Sequence, residues 1–304
     1  MSSTYPSSGN TLPAAVYPAN DALPAVRRIQ MSDLSASLRK GWDDFAALPT
    51  HAIILALIYP VIGLVVARLI HGYSVLPLLF PLAAGFALLG PFAAIGLYEL
   101  SRRREAGENP AASDALSVLS SPSLGAMLAL GLLLMVLFAA WVATAQALYI
   151  ACFGYAPAAG IPDFLGMVLT TRQGWTLILL GCGVGLMFAV VALCISVVAF
   201  PLMLDRHASA GQAMTVSMKA VAENPQVMVA WGLIVAALLV LGSLPLFLGL
   251  AVVIPVLGHA TWHLYRAVVE PAVEPYRQQP QPPKEKRYAA DFPVNLISWM
   301  RRSR

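Results

Sequence analysis

The chain has 304 residues, 59% of them hydrophobic and only 11% charged, with a formal net charge of +4. Soluble domains carry roughly 25% charged residues, so a water-soluble globular domain is excluded and lipid is the expected solvent. Three cysteines without C-x-x-C spacing exclude a disulfide framework, argue against a zinc site and read as small buried apolar side chains.

Residues 1–28 are rich in Ser, Pro and Ala. They lack the basic start and apolar core of a cleavable signal and are expected to form a disordered tail. A six-helix transmembrane domain is expected over residues 29–270, followed by a Pro-rich, basic tail over 271–304. The expected spans are His51–Ile70, Val75–Leu97, Leu124–Ile150, Trp175–Leu204, Val227–Leu244 and Leu246–Tyr265. Each is about 18–30 residues long, enough to cross a bilayer with some tilt. The last two lie in a run of about 40 residues, from Gln226 up to but not including Arg266, without a charged side chain. As one helix that run would reach about 60 Å, twice the hydrocarbon core, so it folds back near Gly242, Ser243 and Pro245.

All of the 19 Lys and Arg except Arg68 and Arg172 fall on one side of these spans. The positive-inside rule then puts both termini in the cytoplasm. On the other side two tight turns and the loop Ala151–Gly174 are too small for a soluble domain. The connections Ser101–Ser123 and Asp205–Gln226 have apolar spacing suited to helices in the membrane interface.

An internal repeat runs through the chain. A half-polar helical stretch ends in Pro and enters an apolar hairpin three times, at Trp42–Pro49, Asp114–Pro122 and Lys219–Pro225. The even-numbered spans share a late proline (Pro91, Pro201, Pro255) followed by polar residues. The expected fold is therefore all-α, with six transmembrane helices arranged as three hairpins, each preceded by an amphipathic interfacial helix. Such repeats occur in transporters, and also in proteins that carry nothing.

His259 and His263, four residues apart, share one helix face and are the candidate metal ligands. Two neutral imidazoles could also bind haem iron or copper, or pass protons. The competing reading is that both hydrogen-bond to interfacial helices or headgroups at the membrane edge. Glu99, Gln146 and Asp205 are candidates for a polar pathway, against simple pairing of Glu99 with Arg102 and of Asp205 with Arg206. No carboxylate lies at mid-membrane depth, which argues against coupled transport of charged substrates. Gly181 and Gly185 form a small-residue face for helix packing within the chain or between two copies. Basic clusters at Arg102–Arg104 and Lys284–Arg287 suit anionic lipid headgroups rather than nucleic acid. The tail Phe292–Arg304 suits a short helix on the membrane or on a partner.

The motifs Gly41-Trp42-Asp43-Asp44-Phe45, Gly90-Pro91-Phe92 with Tyr98-Glu99-Leu100-Ser101-Arg102-Arg103, and Pro255 to Arg266 together resemble domain-of-unknown-function family 2189. The resemblance spans roughly Ile29 to Pro271. It implies six helices in the inner membrane of a proteobacterium. Some members of that family have been labelled cytochrome c oxidase subunits, which raises a haem or respiratory-assembly role without supplying a catalytic residue. Five histidines are too few for the ligands of an oxidase core subunit. The leading expectation is a non-enzymatic scaffold or accessory protein of a membrane complex, acting with a membrane-protein partner or as a homo-oligomer. A small permease or channel comes next, and a haem- or metal-binding redox component third.

Overall fold

The computed structural model describes residues 23–48, 77–78, 81–82, 85, 87–155, 160–245 and 248–271. The expected first span, most of the first half of the second, and both distal tails lie outside these residues. The described residues up to Glu270 belong to one compact unit.

Among the described residues ten α-helices follow one another: α1 Met31–Ala47, α2 Gly90–Ala93, α3 Ile95–Glu105, α4 Leu124–Phe153, α5 Ile161–Thr170, α6 Arg172–Ser196, α7 Ala199–Arg206, α8 Ala210–Glu223, α9 Pro225–Ser243 and α10 Leu250–Val268. Among the described residues three stretches are long and apolar enough to cross a membrane: α4, the run Arg172–Arg206 formed by α6 and α7, and α9. They coincide with the third, fourth and fifth expected spans. The expected sixth span forms α10, which falls short of that standard. Its second half carries His259, Thr261, His263 and Arg266, of which His259 is fully buried and the others are half-buried.

The prolines explain where helices break. Pro201 has no N–H to give to Val197, so α6 ends and α7 restarts after the turn Val197–Val198. Pro91 sits in the first turn of α2, and Pro255 lies inside α10. The segments that follow these prolines, α3, α7 and the end of α10, pack on one another. Phe200, Met203, Trp262, Leu264 and Tyr265 are fully buried there. Lipid is as apolar as these side chains, so within the bilayer close packing and hydrogen bonds hold helices together more than apolar burial does.

The half-polar stretches become three different elements. α1 buries Leu34, Ser37, Gly41, Asp44 and Phe45, a helical stripe that seats it on α10. Gly41 approaches so closely that a Cβ there would lie 2.6 Å from the Ala260 backbone nitrogen. α8 starts at a capping box between Ser209 and Gln212 and packs on α6 and α7. The middle stretch, Ala112–Ser120, winds as a 3-10 helix against α3 instead of an α-helix. Ser117 there bonds back to the Asp114 carbonyl, a local competitor of α-helical pairing.

The segment expected to be a loop, Ala151–Gly174, contains α5. Pro162 occupies its first turn and Asp163 supplies a carboxylate at its positive end. Residues that looked like helix breakers are its starting signal.

Candidate functional site: a polar network at one end of the bundle

The post-proline segments deliver the polar side chains. In α3, Glu99, Ser101, Arg102, Arg103, Arg104 and Glu105 occupy two consecutive turns. In α10 the four-residue spacing sets His259 and His263 on the face toward α1 and α3, with Trp262 and Arg266 on the neighbouring one. α7 ends with Asp205 and Arg206.

The first cluster centres on Asp44. Ser101 Oγ lies 2.7 Å from Asp44 Oδ2 and 2.7 Å from His259 Nδ1. His263 Nε2 is 2.9 Å from the same Asp44 oxygen, and Arg104 Nε is 3.5 Å from the other. Ser101 has one proton, and the carboxylate can only accept, so Ser101 donates to Asp44 and accepts from His259 Nδ1–H. The Leu97 backbone also lies against the His259 ring. This tautomer leaves His259 Nε2 with a bare lone pair. That atom is buried and has no hydrogen-bond partner among the described residues. Burial alone would raise the Asp44 pKa, but the bonds from His263 and Ser101 and the nearby imidazoles hold it below its ordinary value.

The second cluster surrounds Glu99. Arg102 grips it as a fork, with Nε and Nη2 each 2.7 Å from a carboxylate oxygen, and Arg103 Nε adds a third contact at 2.7 Å. Arg103 continues to Asp114 at 3.1 Å. Burial pushes the Glu99 carboxyl up, and the two guanidiniums outweigh it and hold it low.

The third cluster ties α3, α7 and α10 together. Tyr265 donates to Asp205 at 2.6 Å, Arg266 reaches Asp205 at 3.5 Å and Glu105 at 3.1 Å, and Trp262 donates to Glu105 at 2.9 Å. The N-terminal segment closes the same end. Val26 and Val269 form an antiparallel bridge, with Arg27 N donating to Val268 O at 2.7 Å and Glu270 N to Ala25 O at 3.0 Å. Asn224 accepts from Ile29 N at 2.8 Å and donates to the Arg27 carbonyl at 3.0 Å. Arg206 also reaches the Glu270 carbonyl. His207 meets Ser123 at 3.2 Å.

The expected site residues are thus divided. Asp44 and Ser101 bring His259 and His263 into one cluster, and Glu99 and Asp205 enter the neighbouring ones. Gln146 stands apart, half-buried on α4. Its 22 residues from Leu124 amount to about 33 Å along the helix. Gly185 packs against Trp141 of α4, where a Cβ would sit 2.9 Å from the ring, whereas Gly181 meets nothing within 4 Å among the described residues. Among the described residues no group of three His, Cys, Asp or Glu side chains is placed to hold a metal ion. Chemically, the line His263–Asp44–Ser101–His259 can shift protons along hydrogen bonds, and Ser101 is too deeply buried to meet a substrate.

Asp44, Ser101, Arg104 and Asn224 were missed as site residues. One signal was available: Asp44 lies on the apolar stripe of α1, three residues after Gly41. Its partners in α3 and α10 are far away in sequence and leave no such trace.

Nothing among curated proteins or solved structures matches this chain. The family resemblance is borne out over a shorter stretch than the motifs suggested, and both Gly41–Phe45 and Pro255–Arg266 fall outside it. Residues 79–205, which include Glu99, Ser101 and Asp205, match the family described as Predicted integral membrane protein (DUF2189).

Proposed function

We propose that this chain is a non-enzymatic scaffold or accessory protein of a membrane complex in the bacterial inner membrane. The observation that carries the reading is the closure of the polar end: its carboxylates pair with the chain's own Arg, His and Tyr side chains. What α4, α6 and α9 offer outward is apolar, including Leu132 on α4, Leu186 and Met187 on α6 and Leu233 on α9. The separation of Gln146 from Glu99 weighs against a continuous polar pathway. A groove of about 280 Å³ beside α3, the 3-10 helix and α10 is lined by apolar residues such as Phe92, Leu97, Leu116 and Met127.

Both termini are cytoplasmic in this reading. Its support is that basic residues of the N-terminal segment, α3, α7 and α10 converge on one network, as the positive-inside rule requires of charges sharing a side. The three half-polar elements descend from one repeated unit, with α1 closing on α10 as the 3-10 helix does on α3 and α8 on α7. Purification from native membranes in mild detergent tests the function: a protein partner in fixed ratio is expected. Solute flux through the purified protein in liposomes would overturn the reading in favour of a permease.

One observation favours a redox reading, the bare buried Nε2 of His259. His263 has committed its own Nε2 to Asp44, so His259 would serve as a single ligand to haem or metal. A reduced-minus-oxidised spectrum and a metal assay of the same preparation check this, and a colourless, metal-free protein removes it.

A further inference from the structure

α5 sits where it has no free choice of surroundings. It lies between the last residue of α4, Phe153, and the first of α6, Arg172, both candidate membrane-crossing helices. Those ends are remote from the polar network, which gathers at Ser123 and Arg206, the opposite ends of the same stretches. A single residue, Thr171, separates α5 from α6. Its Oγ1 donates to the Met167 carbonyl at 2.6 Å and accepts from Gly174 N at 3.0 Å. Gly174 passes so close that a Cβ would fall 2.1 Å from the Val168 carbonyl oxygen. From the other side Phe164 lies against Tyr149 of α4, with ring centroids 6.4 Å apart. α5 therefore cannot swing away from the membrane boundary.

Its outward face is nonetheless apolar. Leu165, Leu169 and Trp175 are 48%, 53% and 54% exposed, the two leucines one helical turn apart. Trp175 donates its indole N–H to the Leu169 carbonyl at 3.1 Å, so its polar atom is satisfied and its ring is left outward. The face continues into Leu179 and Leu180 of α6, on the stretch that crosses the membrane.

We infer that α5 and the first turn of α6 form an interfacial anchor seated at the headgroup–acyl boundary of the leaflet remote from the polar network, with Leu165 and Leu169 of α5 and Trp175 of α6 as the lipid-contacting side chains. The partner is the lipid surface itself. A Trp with a satisfied N–H beside two leucines is the composition that this boundary selects. The anchor's two charges, Asp163 of α5 and the exposed Arg172 of α6, are opposite in sign, so apolar contact rather than headgroup charge drives the seating, and the anchoring is insensitive to anionic lipid.

The test uses the full chain with Cys152, Cys182 and Cys194 replaced by Ala, in nanodiscs where both faces meet solvent. Single variants Leu165→Cys, Leu169→Cys and Asp163→Cys carry a small fluorophore, and a thermal melt confirms that each is folded. A lipid-borne quencher is expected to quench the labels at 165 and 169 several-fold more than iodide does. The order reverses at 163, and the pattern is the same in zwitterionic and anionic discs. Equal iodide quenching at all three positions would overturn the inference and place the face in water. Protection from both quenchers that grows with the number of chains per disc would overturn it in favour of a second copy.

Discussion

At the residue scale, the polar end is a set of buried charges whose removal is costly because each leaves a partner stranded. The Glu99 side chain is 3% exposed between Arg102 and Arg103. Glu99→Ala should cost about 3–5 kcal/mol, because breaking a buried pair leaves uncompensated charge. Lys219→Ala, which removes the exposed pair with Glu223, should change stability by about 0–1 kcal/mol. Thermal unfolding in mild detergent separates the two, and equal effects would contradict the burial argument. The same groups set a pH dependence. Asp44 and Glu99 are held below their ordinary pKa values, so the folded chain binds fewer protons than the unfolded one in acid. Their contribution is complete above about pH 5 and is lost as the pH falls through about 4 and below. His207 is held low by burial and by Arg102. It favours the neutral form in the fold, so its contribution is full above about pH 7 and fades below about 6.5. The melting temperature should be flat above neutrality, decline shallowly to about pH 5 and fall steeply below it. A melting temperature that rose toward acid would have the wrong sign.

At the element scale, the sequence was most legible where one physical rule acted alone. Long uncharged apolar runs gave α4, α6 with α7, and α9, and the i, i+3 and i, i+4 spacing made the Glu99–Arg102 and Glu99–Arg103 contacts readable. Competing rules spoiled the rest. The prolines and glycines of 154–162 pointed to a loop, yet Pro162 starts a helix. The apolar first half of α10 pointed to a span, yet its second half belongs to the polar network. The Asp44–His263 and Tyr265–Asp205 contacts depend on tertiary packing, which no local pattern encodes. Two glycines test the packing. Gly41→Ala puts a methyl group against the Ala260 backbone and should cost about 1–3 kcal/mol by overpacking. Gly181→Ala meets open space and should be neutral or gain up to about 1 kcal/mol of helix propensity. A Gly41→Ala variant as stable as the parent would mean that α1 does not sit on α10 as described.

At the scale of the whole molecule, the chain closes on itself. The Val26–Val269 bridge and Asn224 draw the segment before α1 to the end of α10, so both ends of the described chain meet at the polar network. Asn224→Ala removes one acceptor and one donor from that clasp, and trypsin should cut at Arg27 and Arg28 several-fold faster in native-like detergent. Unchanged cleavage would show that the strand bridge alone holds the segment. The buried carboxylates of the polar end pair within the chain, and α4, α6 and α9 present apolar side chains outward. On the function proposed above, the chain works by association. The most direct measurement is the protein composition of the complex purified from native membranes in mild detergent. A membrane-protein partner in fixed ratio is the predicted result. A chain that purifies alone, with one haem or metal per molecule, would contradict it.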